Sequence, residues 1–500
     1  MGSRLKKSCR FTLAKSARFI GAELQESDAN LAFAPATELL TLISNGEVSS
    51  TELTELYLAR IEAIDPQLNA YVTVTSELAL EQAAKADEAT ARGENLGPLH
   101  GLPISLKDLQ MTKGVRTTGG SLAYKDRVPD ANGTSVQRIL DAGAVMLGKT
   151  NSPEFGHLGA TENRLGKSCW NPWNPERTSG GSSGGAAAAV AAGLCSVATG
   201  GDGGGSIRIP ASFCGTYGIK PTQGRVSSYP GVDGIPTVNL LAQQGPLSRT
   251  VADSAMLLQV MSGYDRRDIG SMRNPVPDFI AALERDFAGL RIGWSLGFGY
   301  AAVDSEVAQS AEVGAQVFEE LGCTVDESDL ALDSPFETWI TFFALNAVAA
   351  YGHLLEDHED QLSWYFRWSL ARGSKLSAVD YARALAERDR MIDQFWAQFD
   401  KFDLLLSPTM AVTAFPNEQY PEEIGGKEPT TVPFWGFLPH THPINTIGFT
   451  AASIPCGFDS DGMPIGLQII GKPGDEETVL AASAAFERAR PWAHHRPMVS

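Results

Sequence analysis

The sequence predicts an α/β protein: a single large domain with a central mixed β-sheet flanked by helices. Three observations carry this. Strand-like segments occur near both ends, "GLPISLKD" and "AVMLGKT" early, "FDLLLSPT" and "MPIGLQIIG" late, so the C-terminal part completes the sheet that the N-terminal part begins. Residues 280–400 between them are mostly helical in pattern. No internal repeat or sharp linker divides the 500 residues, although length alone would suggest about two to four domains.

The elements follow in chain order. Residues 1–36 read as a flexible extension. Its first part carries Arg4, Lys6, Lys7, Arg10, Lys15 and Arg18 with no acid, and Lys15 and Arg18 interrupt any apolar stretch that a secretory signal would need. Residues 37–490 form the domain. "SSTELTELYLARIEAIDP" has a capping box from Ser49 to Glu52, apolar residues at helical spacing and a stop at Pro66, which specifies an amphipathic helix. "GLPISLKDLQ" is a short strand ending at Lys107-Asp108, and "SVQRILDAGAVMLGKTN" is a helix, a glycine turn and a strand. Residues 151–185 are too polar and proline-rich for a buried strand and too long for an ordinary connection, which points to a functional loop. "AAAAVAAG" is a helix of small residues able to pack closely, followed by the strand "CSVATGG". Helices are expected at "AEVGAQVFEELGC" and "AVDYARALAERDRMIDQFWAQF", with the aromatic-rich "PFETWITFFALNAVAAYG" between them. "EETVLAASAAFERA" forms a terminal helix.

Composition excludes several classes. Apolar residues make up 43% and charged residues 20%, ordinary for a globular enzyme. A net charge of -19 opposes nucleic acid and anionic membrane as partners. No apolar run approaches the roughly 18 residues needed to span a bilayer. The scattered cysteines, without CxxC spacing, suit a reducing, cytoplasmic setting and indicate neither a zinc site nor a disulfide framework.

Chemistry concentrates in "TSGGSSGGAAAAVAAGLCSVATGGDGGGSIRIP". Ser182 formally matches a G-x-S-x-G nucleophile elbow, but the preceding "NPWNPERTS" cannot be the strand that the elbow requires. A Gly/Ser linker is disfavoured because the segment has no domain-like flanks. "GGDGGGSIR" lacks the spacing of a phosphate loop. Three glycines directly before Ser206 can instead present backbone N–H groups to an oxygen that gains charge during acyl transfer. A serine nucleophile needs a base. The His440–His442 pair reads as a loop feature rather than a metal ligand set. Lys107, at the end of a buried strand, can act as a base if burial lowers its pKa; on sequence alone it reads equally as half of a surface pair with Asp108.

Taken together, Lys107 in "GLPISLKD", "GGSSGG" and "GGGSIRIPASFCGTYGIKPTQGRVS" resemble the amidase signature family, as do "GKTNSPEFG", "NPWNP", "LLSPT" and "SDGMPIGLQIIG". The resemblance spans about residues 37–490 and implies the amidase signature fold with a Ser-cisSer-Lys triad. By resemblance Ser206 is the acyl-enzyme nucleophile, Ser182 the serine after a cis peptide bond that relays the proton, and Lys107 the neutral base. The N–H groups of Gly203, Gly204, Gly205 and Ser206 would form the oxyanion hole, with Ser183, Asp202 and Arg208 bracing the network. No metal or other cofactor is implied.

The resemblance implies a hydrolase of carboxylic amide C–N bonds, aryl or hydrophobic amides being favoured, with esterase side activity. Two alternatives stay open: a carbamate hydrolase (urethanase) of the same family, and a glutaminase-like subunit of a tRNA-dependent amidotransferase. The partner is then a small-molecule amide or carbamate, and the enzyme a monomer or homodimer. His157 and Ala160, in the loop after Glu154, and Trp339, Phe342 and Phe343 are candidates for substrate selection, although the aromatics serve equally well as core. One departure stands out: Gly201 and Gly203 occupy positions where the family usually carries hydroxyl residues. A more open oxyanion loop, fitting a bulky acyl group, is expected.

Overall fold

Eleven short strands among the described residues pair into one mixed sheet, and the chain reaches its middle from both ends. The computed structural model describes residues 26–232, 239–333 and 335–500; the reading of the first twenty residues lies outside them. In chain order the strands are β1 (Tyr71–Val74), β2 (Pro103–Lys107), β3 (Val145–Thr150), β4 (Val197–Asp202), β5 (Tyr217–Lys220), β6 (Gln243–Ser248), β7 (Arg291–Trp294), β8 (Thr324–Glu327), β9 (Leu404–Pro408), β10 (Thr450–Phe458) and β11 (Pro464–Gly471). Their spatial order is β1-β3-β2-β4-β6-β5-β10-β11-β9-β7-β8. β2 runs parallel to β3 and β4, β7 runs parallel to β8 and β9, and the six remaining pairs are antiparallel.

The sheet is thus mixed, helix-flanked and completed by the C-terminal part. The helical pattern of 280–400 hides β7 and β8, which form one edge. The central strands are buried on both faces, β2, β3 and β11 along their whole length, which is why they read as apolar runs rather than alternations.

Local rules act where they are strong. Ser49 and Glu52 close a reciprocal capping box on the helix Ser50–Ile64, with side chain to backbone bonds of 3.0 Å each way. The helix Gly184–Ala191 is buried at every position. A Cβ at Gly185 would lie 2.3 Å from the Asn151 nitrogen, so only glycine permits that approach. Residues 151–185 stay largely irregular, yet their backbone is satisfied: Asn171 Nδ2 donates to the carbonyls of Thr178 (3.0 Å) and Phe213 (2.8 Å). The domain also reaches beyond its expected limits. Ala32, in the helix Glu26–Ala32, is buried and accepts a bond from the Tyr57 hydroxyl, and Trp492 and Val499 are buried near the other end.

Above one end of the sheet, the helices Phe336–Tyr351, Trp364–Gly373 and Ala378–Phe399 build a second, aromatic-rich core. Between it and the sheet lies the site. No helix among the described residues is long and apolar enough to cross a membrane.

Candidate active site

β2 ends in Lys107, and β4 ends in Asp202 just before the glycine run, so the neighbouring strand ends bring two distant segments together. Lys107 is buried, and its Nζ lies 2.7 Å from Ser182 Oγ, 2.8 Å from Ser183 Oγ and 3.2 Å from the Gly201 carbonyl. Burial lowers its pKa from 10.5 to about 7, against the opposing pull of the Asp202 charge. A neutral amine has two N–H bonds and one lone pair. With the N–H groups given to Ser183 and Gly201, the lone pair is left for the Ser182 hydroxyl proton.

The peptide bond between Gly181 and Ser182 is cis. Ser182 and Ser206 line the same cavity, of about 250 Å³, together with Lys107. The Ser183 N–H donates to the Ser206 carbonyl at 3.1 Å, which ties the two serine loops to each other. Among the described residues no hydrogen bond joins the two hydroxyls of Ser182 and Ser206. Such contacts often close only around substrate.

Asp202 and Arg208 are wholly buried and form the brace beneath the loop. The carboxylate accepts from Arg208 Nε (2.9 Å) and Nη2 (3.0 Å), from the Gly205 N–H (2.7 Å) and from Asn445 Nδ2 (2.8 Å). Burial alone would raise the Asp202 pKa, but the charge and hydrogen bonds of Arg208 outweigh it and hold the group at about 2. Arg208 also donates to Gln468 Oε1 (2.6 Å), Asn445 Oδ1 (2.6 Å) and the Thr441 carbonyl (3.0 Å). Gln468, Asn445 and Thr441 escape the sequence reading. Gln468 stands inside "SDGMPIGLQIIG" with no local sign of its role.

The glycine run is set by its neighbours. Trp339 Nε1 donates to the Gly203 carbonyl at 2.8 Å and Thr441 Oγ1 to the Gly204 carbonyl at 2.7 Å. A Cβ on Gly204 would strike the Trp339 ring at 2.6 Å, and Gly205 has φ +125°, where side chains are strained. One expectation needs correcting: the Gly205 N–H is already committed to Asp202, so it is not an oxyanion donor. The N–H groups of Gly203, Gly204 and Ser206 have no partner among the described residues, and Gly203 and Ser206 line the cavity.

The candidates for substrate selection divide. His157 and Phe343 line the cavity with ring centroids 4.2 Å apart, and burial lowers the His157 pKa to about 3, keeping the ring neutral. Ala160 lies behind the cis-peptide loop, its carbonyl 2.5 Å from where a Gly181 Cβ would sit. Trp339 supports Gly203 from outside the cavity, and Phe342 packs edge-on against Tyr381 at 5.5 Å. These three are therefore structural. The sequence reading misses Gln110, Ser135 and Gln244, polar residues of the cavity wall, and Tyr351, which stacks on Phe155 at 3.9 Å. Among the described lining residues Lys107 is the one lysine, and no arginine, aspartate or glutamate is present.

The chain is similar to known proteins along nearly its whole length. A family model described as Amidase matches residues 52–480. The chain is 40% identical over 492 residues to the A subunit of the glutamyl-tRNA(Gln) amidotransferase of Moorella thermoacetica, covering 93% of this chain and 99% of that one. It is 36% identical over 481 residues to an acylamidase of Rhodococcus erythropolis, covering 94% and 98% respectively. Among solved structures, a bacterial aryl acylamidase of the amidase signature enzymes superposes with a TM-score of 0.87 at 34% identity, covering 94% of this chain and all 100% of that one. A 6-aminohexanoate cyclic dimer hydrolase gives 0.85 at 31%, covering 94% and 99%.

Proposed function

We propose, for a chain that belongs to the amidase signature family, hydrolysis of neutral carboxylic amides bearing an apolar or aromatic group, through an acyl-enzyme on Ser206. The observation that carries this is the meeting of Lys107, Ser182 and Ser206 at one cavity whose described lining holds no second lysine and no arginine, aspartate or glutamate.

The proton path follows from the lone pair of neutral Lys107. Lys107 takes the hydroxyl proton of Ser182 as Ser182 takes that of Ser206, and the Ser206 oxygen attacks the carbonyl carbon. Negative charge gathers on the carbonyl oxygen, where the free N–H groups beside Ser206 stabilise it. The C–N bond breaks, the proton returns through Ser182 to the leaving amine, and a water activated by the same path releases the acid.

Identity to the A subunits of amidotransferases supports a second reading, glutamine hydrolysis in a partner complex. Against it, free glutamine brings an ammonium and a carboxylate, and burying either without a counter-charge is costly. The test is a panel of an anilide, a primary amide, glutamine, a p-nitrophenyl carbamate and a p-nitrophenyl ester, with parent and Ser206→Ala proteins. Anilide cleavage that disappears in Ser206→Ala is expected. Glutamine as the preferred substrate, or gained only with companion subunits, would establish the second reading. Carbamate cleavage outrunning the anilide would move the substrate class to urethanes. Full amide cleavage by Ser206→Ala would overturn the nucleophile assignment.

A further inference from the structure

Gln244 projects into the cavity from β6, directly across the ladder from Gly201 of β4. Residues paired in this way point to the same face of the sheet, and a Cβ at Gly201 would meet nothing within 4 Å. The glycine therefore leaves open the space beside the Gln244 side chain, next to the carbonyl that faces Lys107 Nζ.

A chain of hydrogen bonds fixes which way the Gln244 carboxamide points, and it starts at a donor with no freedom. The backbone N–H of Lys107 donates to Thr199 Oγ1 at 3.1 Å. The Thr199 hydroxyl proton then goes to Gln110 Oε1. This orients Gln110, whose Nε2 donates to Gln244 Oε1 at 2.8 Å. Ser135 Oγ donates to the same oxygen. With its oxygen held by two donors, Gln244 turns its NH2 group away from them, and among the described residues that nitrogen has no hydrogen-bond partner. A fixed, unpaired donor in a cavity wall favours a ligand that supplies an acceptor and penalises one that does not.

We propose that Gln244 is a specificity-determining residue. Its Nε2 receives a neutral acceptor on the substrate, a ketone, ester or ether oxygen set apart from the scissile amide. This rests on the amide-hydrolase reading and narrows it to amides carrying such an oxygen, in preference to their hydrocarbon isosteres.

The test compares kcat/KM for two matched pairs of anilides in the parent, Gln244→Leu and Gln244→Met proteins. The 4-acetyl and 4-isopropyl anilides of one acid place the acceptor on the leaving group. The 4-oxopentanoyl and 4-methylpentanoyl anilides place it on the acyl group. Comparing each variant with the parent cancels the electronic effect of the acetyl group, and titrating Ser206 with a stoichiometric acylating reagent normalises for folded enzyme. In at least one pair, both variants should lose about 3- to 10-fold more on the acceptor-bearing member, the range for one neutral hydrogen bond. Equal losses on both members of both pairs would make Gln244 a packing residue and overturn the inference. A parent that cleaves none of the four anilides would bring down the amide reading, and this inference with it.

Discussion

Moving the pH from 6 to 8 is the sharpest probe of Lys107. Burial places its pKa at about 7 rather than 10.5. The neutral fraction of the base then climbs from about a tenth to about nine-tenths over that interval, so kcat/KM for a p-nitroanilide should rise about tenfold and level off above pH 8. An ordinary lysine would give a rate still rising about tenfold per unit beyond pH 9. Deprotonation of the buried lysines does not destabilise the fold across the plateau. A lysine whose pKa is lowered by folding binds fewer protons in the folded than in the unfolded state, so stability increases as pH rises from about 7 towards 10.5; Lys149 and Lys220, both also lowered to about 7, act in the same direction. The Lys107→Ala variant should lose about 10²- to 10⁴-fold in amide kcat, the usual worth of a positioned base. It should lose the limb near pH 7 as well, yet keep part of its p-nitrophenyl ester cleavage, whose leaving group needs less proton delivery. A parent profile peaking near pH 5, or a pH 7 limb surviving in Lys107→Ala, would refute the assignment.

Two further predictions follow from the loop and its brace. Arg208→Met leaves the buried Asp202 carboxylate without its charge partner and should cost about 3–5 kcal/mol in urea denaturation; an unchanged midpoint would contradict the brace. Gly203→Thr should fold, because a Cβ there sits 3.6 Å from Phe343 and 3.7 Å from Ala242. It should lower kcat/KM for a bulky acyl anilide about tenfold more than for acetanilide, and an unchanged ratio would refute the open-loop expectation.

What the sequence could disclose depended on how local the information was. The capping box at Ser49 and Glu52 and the strand at Pro103–Lys107 are written within a few residues of each other. β10 is not: Pro455 and a row of small residues blur its alternation, and its place in the sheet comes from long-range pairing with β5 and β11. β7 and β8, of 4 residues each, are too short to show a period. The same contrast holds in the site. Lys107, Ser182 and Ser206 sit in distinctive phrases, whereas Gln244 gains its meaning from the ladder register with Gly201 and from a hydrogen-bond direction set at Lys107. Phe342 and Phe343 could not be told apart because the helix Phe336–Tyr351 is apolar on nearly every side, leaving no polar face to set its phase.

The brace has a consequence for biosynthesis. Ser206 is translated well before the groups that pin its loop, Thr441, Asn445 and Gln468. Until they emerge, a nascent chain carries Ser206 with Arg208 met only by Asp202. A chain ending before Thr441 should therefore lack amide cleavage, because the loop that holds Ser206 has lost its pins.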